Sequence, residues 1–184
     1  MEPVFTMQYG EFAVVDYLSK NIKDVSVFVP ASAQEKGIDL LLYRYSNGQN
    51  TTCTIQVKMS RTYYIDNPRN RFKYYLWFNR FNIHENADWY ILIGVIAKFP
   101  EKANTRLRSI SWESIMLAFT QEEMRKFMNS VKQKKDITKD DKMFGFGFND
   151  DKDIFQTRGC KEHRNMSNYL IGNRLNDILN SFIK

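Results

Sequence analysis

Cysteine, histidine, glycine and proline are all scarce in this sequence. Its 184 residues include two cysteines, Cys53 and Cys160, and two histidines, His84 and His163. Two cysteines cannot form a disulfide framework, which favours a reducing compartment. Cys160 and His163 have the spacing of a metal-binding pair, but the absence of a second pair argues against a zinc site. Eight glycines and four prolines exclude collagen-like and low-complexity chains.

Long hydrophobic runs are also missing. The longest, residues 89–97, is far shorter than the roughly 20 residues of a membrane helix. The first eleven residues carry no basic segment ahead of an apolar run, so the sequence predicts no signal peptide. We therefore expect a soluble, cytoplasmic protein.

Several sequence signatures of catalysis are absent as well. The chain has no P-loop, no G-x-S-x-G elbow and no G-x-G-x-x-G fingerprint. The acidic run 149–153 lacks the glycine and the terminal glutamate of a calcium-binding loop. The common motifs of nucleotide binding, serine hydrolysis and calcium binding therefore do not explain this protein.

The composition is that of a folded, mildly basic domain. With 43% hydrophobic and 15% aromatic residues, the chain is long enough to bury one core. It carries 27 basic and 21 acidic residues, a net charge of +6 and a pI of about 9.2. This surplus favours polyanions such as nucleic acid, but it is modest, and many basic proteins bind none.

The order of predicted elements is a helix, a meander of strands, and then helices. The pattern predicts a first helix over 10–22 and strands over 25–29, 38–45, 51–58, 72–78 and 88–98. The last of these is apolar on both faces and is predicted to be central. We expect helices over 112–119, 121–131 and 167–183, a loop over 132–142 and a short edge strand over 144–148. This order predicts one α+β or α/β domain, 1–184, with a mixed sheet and a helical C-terminal part from about residue 112.

An Asn-Gly pair provides the sharpest geometric prediction. Asn47 and Gly48 are typical of a two-residue hairpin turn. Counting back along both strands places Asp39 opposite Gln56, with their Cβ atoms about 5 Å apart on one face. Lys58 lies two residues after Gln56 and shares that face. A carboxylate, an amide and an ammonium group are therefore predicted to converge.

Two interpretations of this polar patch stay open. It could be a solvated face on which Asp39 and Lys58 form a weak surface pair. However, Leu41 and Tyr43 share the face, and a covered carboxylate costs several kcal/mol unless it is satisfied. Glu11 is the first residue of the core-facing stripe of the predicted first helix. The helix dipole favours an acidic residue in the first turn, but it does not explain why this residue lies on the core-facing side. A helix packed over the sheet would bring Glu11 to the same patch.

These residues resemble the PD-(D/E)XK nuclease superfamily in order, spacing and strand context, over about residues 10–98. In chain order, they are Glu11 in a first helix, Gly37-Ile38-Asp39 in a strand, and Gln56-Val57-Lys58 in the next strand. Because the motif is short and degenerate, the match does not rest on residue letters. The stretch 56–61, with residues 77–78 and 88–90, is similar to bacterial members of the superfamily that have a Q-x-K third motif.

The resemblance implies a fold, a reaction and a site. The fold would be restriction-endonuclease-like, a mixed central β-sheet flanked by helices. The reaction would be Mg²⁺-dependent hydrolysis of phosphodiester bonds in DNA, with Mn²⁺ able to substitute. Glu11, Asp39, the Gln56 amide oxygen and the main-chain carbonyl of Val57 would bind the metal, and Lys58 would be the catalytic lysine. Restriction-type members often act as homodimers.

Two positions depart from the family pattern. Ile38 stands in place of proline, which is of little consequence. Gln56 replaces an acidic residue; its oxygen can still bind a hard cation, but it contributes no charge. Active members with glutamine there are known. Three alternatives stay open: a DNA nuclease of restriction or repair type, an inactive nucleic-acid-binding relative, and an α/β protein whose acidic and lysine side chains form a surface ion pair.

Basic and aromatic residues alternate over 61–81. Among them, Arg61 and Lys73 are the predicted contacts to nucleic-acid phosphates. The aromatic residues of this segment fit a hydrophobic core equally well. Neither the recognition sequence nor a choice between DNA and RNA follows from the sequence.

Overall fold

The computed structural model describes the backbone of residues 4–30, 36–98 and 111–182, with side chains for 9–30, 36–96 and 113–182. These ranges contain three α-helices and nine strands, which confirms the predicted α+β class. The helices are α1 (Val4–Asn21), α2 (Gln121–Ser130) and α3 (Ile171–Asn180). The strands are β1 (Ser26–Phe28), β2 (Leu40–Ser46), β3 (Gln49–Tyr64), β4 (Tyr74–Asn79), β5 (Trp89–Lys98), β6 (Ser111–Thr120), β7 (Met143–Phe148), β8 (Ile154–Arg158) and β9 (Arg164–Asn165). None of the described helices has the length and apolar character to cross a membrane.

The long strand β3 belongs to two sheets. In the first sheet it lies between β2 and β5, and these neighbours pair in turn with β1 and β6. The last residues of β3, 62–64, pair with β4, which begins the second sheet, β4-β7-β8-β9. The β3–β5 pair is parallel and the other pairs are antiparallel, so the sheet is mixed as predicted.

Two hydrophobic clusters lie on opposite faces of the first sheet. One joins α1 and α3 to the sheet and includes Leu18, Ile91 and Ile178. The other lies between the two sheets and α2, and includes Leu76 and Leu92. Strand β5 contributes to both clusters, since Ile91 and Leu92 point to opposite faces. The predicted central position of β5 is therefore confirmed.

The two sheets are in close contact at Gly94 of β5. A Cβ atom on Gly94 would overlap the Cδ2 atom of Leu76, which is fully buried. Because Leu76 has no open space to move into, Gly94→Ala should lower the free energy of unfolding by about 1–3 kcal/mol in urea denaturation. Gly172→Ala in α3 is the matched control, because its nearest neighbour would be the Tyr17 hydroxyl at 3.4 Å. Equal stability of the two variants would contradict this packing.

Three predictions for the second half of the chain are wrong. Residues 112–119 were predicted to be helical but belong to β6, which pairs along its whole length with β5. Residues 115–119 are all buried, so their side chains show no helical period to distinguish the two structures. The part after residue 112 is therefore not mainly helical, since it contains β6 to β9. The predicted edge strand over 144–148 is the interior strand β7, which lies between β4 and β8.

Candidate active site

The β2–β3 hairpin sets the position of Asp39. The turn residues Asn47 and Gly48 have φ of 52° and 76°, the left-handed conformation that a tight hairpin turn requires. The register then runs without a shift to Ile55 of β3. Asp39 immediately precedes β2, outside the paired register, and its hydrogen bonds reach Ile55 and Val57, the two residues that flank Gln56.

Asp39 is fixed to β3 on both sides of Gln56. Its main-chain amide donates to the Ile55 carbonyl at 2.9 Å, and its carboxylate accepts from the Val57 amide at 2.7 Å. The Asp39 carboxylate thus accepts from the Val57 amide a hydrogen bond that a main-chain carbonyl of the neighbouring strand would otherwise accept. Because the N–H and C=O of one strand residue point to the same side, the Val57 carbonyl also faces Asp39.

Helix α1 begins at Val4 and not at residue 10 as predicted, so Glu11 lies in its middle, where the helix dipole does not explain an acidic residue. The helix packs on the face of β3 that carries Val57 and Met59. Its Gly10 packs closely on β3, where an added Cβ atom would lie 3.1 Å from the Cβ of Met59. Burial raises the pKa of Glu11, the negative charge of Asp39 raises it further, and the positive charge of Lys58 opposes both effects. Glu11, Asp39 and Lys58 therefore interact electrostatically although they come from three different segments.

An aromatic ring holds the end of Lys58. The Nζ atom lies 5.7 Å from the centroid of the Phe81 ring, which stacks on Tyr90 at 6.0 Å. A cation near the face of an aromatic ring is attracted by the ring quadrupole. The sequence does not identify Phe81 as a site residue, because it follows β4 and shares no spacing pattern with the motif.

Gln56 places an unpaired oxygen inside the molecule. Its side chain is 3% exposed, and its Oε1 atom has no hydrogen-bond partner among the described residues. A buried polar atom without a partner is costly and calls for an explanation. A hard cation bound beside Asp39 would supply the missing partner, because amide oxygens are good ligands for such ions.

The oxygen donors fit Mg²⁺. Within the described ranges no group of three or more histidine, cysteine, aspartate or glutamate side chains is placed to hold a metal ion. The candidate set instead has two carboxylates, from Glu11 and Asp39, with the Gln56 amide oxygen and the Val57 carbonyl. Mg²⁺ is commonly bound through one or two carboxylates while it keeps several waters, so this set suits it better than zinc.

The two predicted phosphate contacts lie at different distances from this site. Arg61 is exposed and lies three residues after Lys58 on β3, about 10 Å away. Lys73 is exposed, and its carbonyl accepts from the amide of Ile65, about 23 Å along β3 from Lys58. The structure thus brings Glu11, Asp39 and Lys58 within electrostatic reach of one another and joins Asp39 to Val57. The side chains of Gln56 and Lys58 point to the face of β3 opposite Val57, Met59 and Arg61, and Lys73 lies outside the site.

No family model, curated protein or solved structure matches this chain. The resemblance to PD-(D/E)XK nucleases therefore stays a prediction from the motif residues. The functional argument rests on the arrangement of those residues in the fold.

The raised pKa of Glu11 has a measurable effect on stability. A carboxyl group whose pKa is raised by folding binds its proton more tightly in the folded state. Stability is therefore lost as the pH rises from the ordinary pKa of 4.5 through the raised value, and it stays lower above that value. Glu11→Gln cannot ionise, so its melting temperature relative to wild type should be higher at neutral pH than at about pH 4.

Thermal unfolding in EDTA at both pH values measures this difference. Glu162→Gln, at an exposed position remote in sequence from the site, is the matched control and should show a much smaller change. If the melting temperature of Glu11→Gln relative to wild type were higher at about pH 4 than at neutral pH, that result would contradict a raised pKa of Glu11.

Proposed function

We propose that this protein is a Mg²⁺-dependent nuclease that hydrolyses phosphodiester bonds in DNA. One observation carries the proposal. Glu11 on a helix lies close enough to Asp39, just before β2, and to Lys58 on β3 for both charges to act on it, and Asp39 also accepts a hydrogen bond from the Val57 amide. A solvated ion pair between Asp39 and Lys58 would not require Glu11 to be half-buried beside them.

The chemistry of the site suits phosphodiester hydrolysis. When bound, Mg²⁺ supplies an activated water and neutralises charge on the phosphate. Glu11 and Asp39 provide the negative charge that attracts such a cation, and their mutual repulsion is relieved when it binds. Lys58 orients or deprotonates the attacking water, or stabilises the charge that develops on the phosphate. Phe81 limits the positions that the Lys58 ammonium can adopt.

A catalytically inactive, nucleic-acid-binding protein is the second candidate. The observation that favours it is Gln56, which is neutral and buried where an active site of this type commonly has a carboxylate. The loss of one negative charge weakens attraction for a divalent cation. In that case the basic and aromatic surface beyond the site would keep its role while hydrolysis was lost.

The deciding experiment is incubation of the purified protein with supercoiled and single-stranded DNA, in Mg²⁺ or Mn²⁺ and in EDTA. The proposal expects cleavage that requires the metal and is lost in Asp39→Asn. Binding without cleavage supports the second candidate, and neither binding nor cleavage supports a surface ion pair without nuclease function. A cytoplasmic location remains a prediction from the sequence, and a homodimer remains an expectation from the family resemblance.

A further inference from the structure

The outer face of the second sheet carries a row of aromatic rings. Tyr63 is 46% exposed, and its ring centroid lies 4.7 Å from that of Trp77. Trp77 stacks on Tyr75 at 6.0 Å with an interplanar angle of 24°. Tyr63 pairs with Tyr75 across β3 and β4, and Leu76 points to the opposite, buried face. We call Tyr63, Tyr75 and Trp77 the aromatic platform.

Two buried glycines of the next strand lie against the aromatic rings. In β7, Gly147 lies opposite Tyr75 and Gly145 lies opposite Trp77. A Cβ atom on Gly145 would overlap the Cδ1 atom of Trp77, so the indole lies against the main chain of β7. At Gly147 the space of a missing side chain is taken by Phe72, where an added Cβ atom would lie 2.7 Å from the Phe72 ring.

Positive charges lie at both ends of the platform. Arg61 is exposed on the face of β3 that also presents Tyr63. At the other end, the Arg71 guanidinium lies 5.2 Å from the Phe72 ring centroid, and Phe72 contacts Tyr75 at 6.2 Å between centroids. Cations beside exposed aromatic rings are suited to bind a nucleic acid, because the cations attract its phosphates and the rings stack with its bases.

We infer that the aromatic platform binds unpaired bases of single-stranded DNA. This inference rests on the proposed function, because it takes DNA as the substrate and adds its strandedness. Bases stacked on aromatic side chains must be accessible, which holds for a single strand and not for an intact duplex. Cross-strand ring pairs also stabilise sheets, but that role alone does not explain an exposed Tyr63 flanked by arginines.

The test is fluorescence anisotropy in EDTA with labelled oligothymidylate and with its duplex with oligodeoxyadenylate. The single strand should bind more tightly than the duplex. Tyr63→Ala and Trp77→Ala should each weaken its binding by about 5- to 150-fold, the range for one lost stacked base. Tyr63→Phe keeps the ring and should bind like wild type. Tyr45→Ala is the matched control, since Tyr45 is 65% exposed on β2, away from the platform.

Equal affinity for both DNA forms, or unchanged binding in both alanine variants, would overturn the inference. Tyr63 makes its main contacts at the surface, so Tyr63→Ala keeps the test valid if Trp77→Ala fails to fold. Metal-dependent cleavage that is unaffected in Tyr63→Ala and Trp77→Ala would remove the platform and leave the proposed function standing. Binding in EDTA that depends on the rings, without cleavage in Mg²⁺, would support the platform and contradict the proposed function.

Discussion

Lys58→Ala should slow metal-dependent DNA cleavage by roughly 100- to 1,000-fold, the usual effect of losing one group that stabilises developing charge. The reason is that Lys58 provides the positive charge beside Glu11 and Asp39. The measurement is the initial rate of conversion of supercoiled plasmid to nicked and linear forms. Lys142→Ala, at an exposed lysine on the chain segment before β7, is the matched control and should cleave at the wild-type rate.

The fold should survive this substitution. The contact of Lys58 with Phe81 is the main packing interaction that the variant loses, worth about 0.5–1 kcal/mol. Binding of single-stranded DNA in EDTA should therefore stay within a few-fold of wild type. Cleavage that persists at full rate in Lys58→Ala would remove this residue from the mechanism and point to a contaminating nuclease.

Gln56→Glu should destabilise the protein strongly without metal and respond to Mg²⁺. The new carboxylate would be buried close to Asp39, with a loss of about 2–5 kcal/mol in the free energy of unfolding at neutral pH. Mg²⁺ bound between the two carboxylates stabilises only the folded state, so it should restore part of this loss. Urea denaturation in EDTA and in Mg²⁺ measures both effects.

The chain offers a close control for this experiment. Gln156 in β8 is also fully buried, and its Oε1 atom also lacks a hydrogen-bond partner among the described residues. Gln156→Glu should be destabilised to a similar extent, but it pairs with Phe146 rather than with an acidic residue and should gain nothing from Mg²⁺. The same response to Mg²⁺ in both variants would contradict a metal site at Gln56.

The central geometry of the site could be predicted because a short turn determines it. Asn47 and Gly48 fix the turn, the turn fixes the register, and the register places Asp39 across from Gln56. Each step depends on residues adjacent in sequence. Glu11 could also be placed, because the apolar stripe of α1 shows which side of the helix meets the sheet.

Features that depend on pairing between segments far apart in the chain could not be predicted from the sequence. The β6 segment is apolar at nearly every position, so only its pairing with β5 decides between helix and strand. The alternation of phenylalanine and glycine in β7 indicates a strand but not its two neighbours. Phe81 reaches Lys58 only because β4 turns back over the first sheet. Strands β8 and β9 are short and have no clear pattern of their own.

Because β3 runs through both sheets, the candidate site forms only when this strand has folded. Gln56 and Lys58 lie near the middle of β3, between the residues that pair with β2 and those that pair with β4. The cluster that joins α1 and α3 to the first sheet cannot assemble while β3 is unformed, because Cys53, Ile55 and Val57 belong to it. On the proposed function, a newly synthesised or partly unfolded chain would therefore lack the clustered oxygen atoms and would cleave no DNA until β3 had paired.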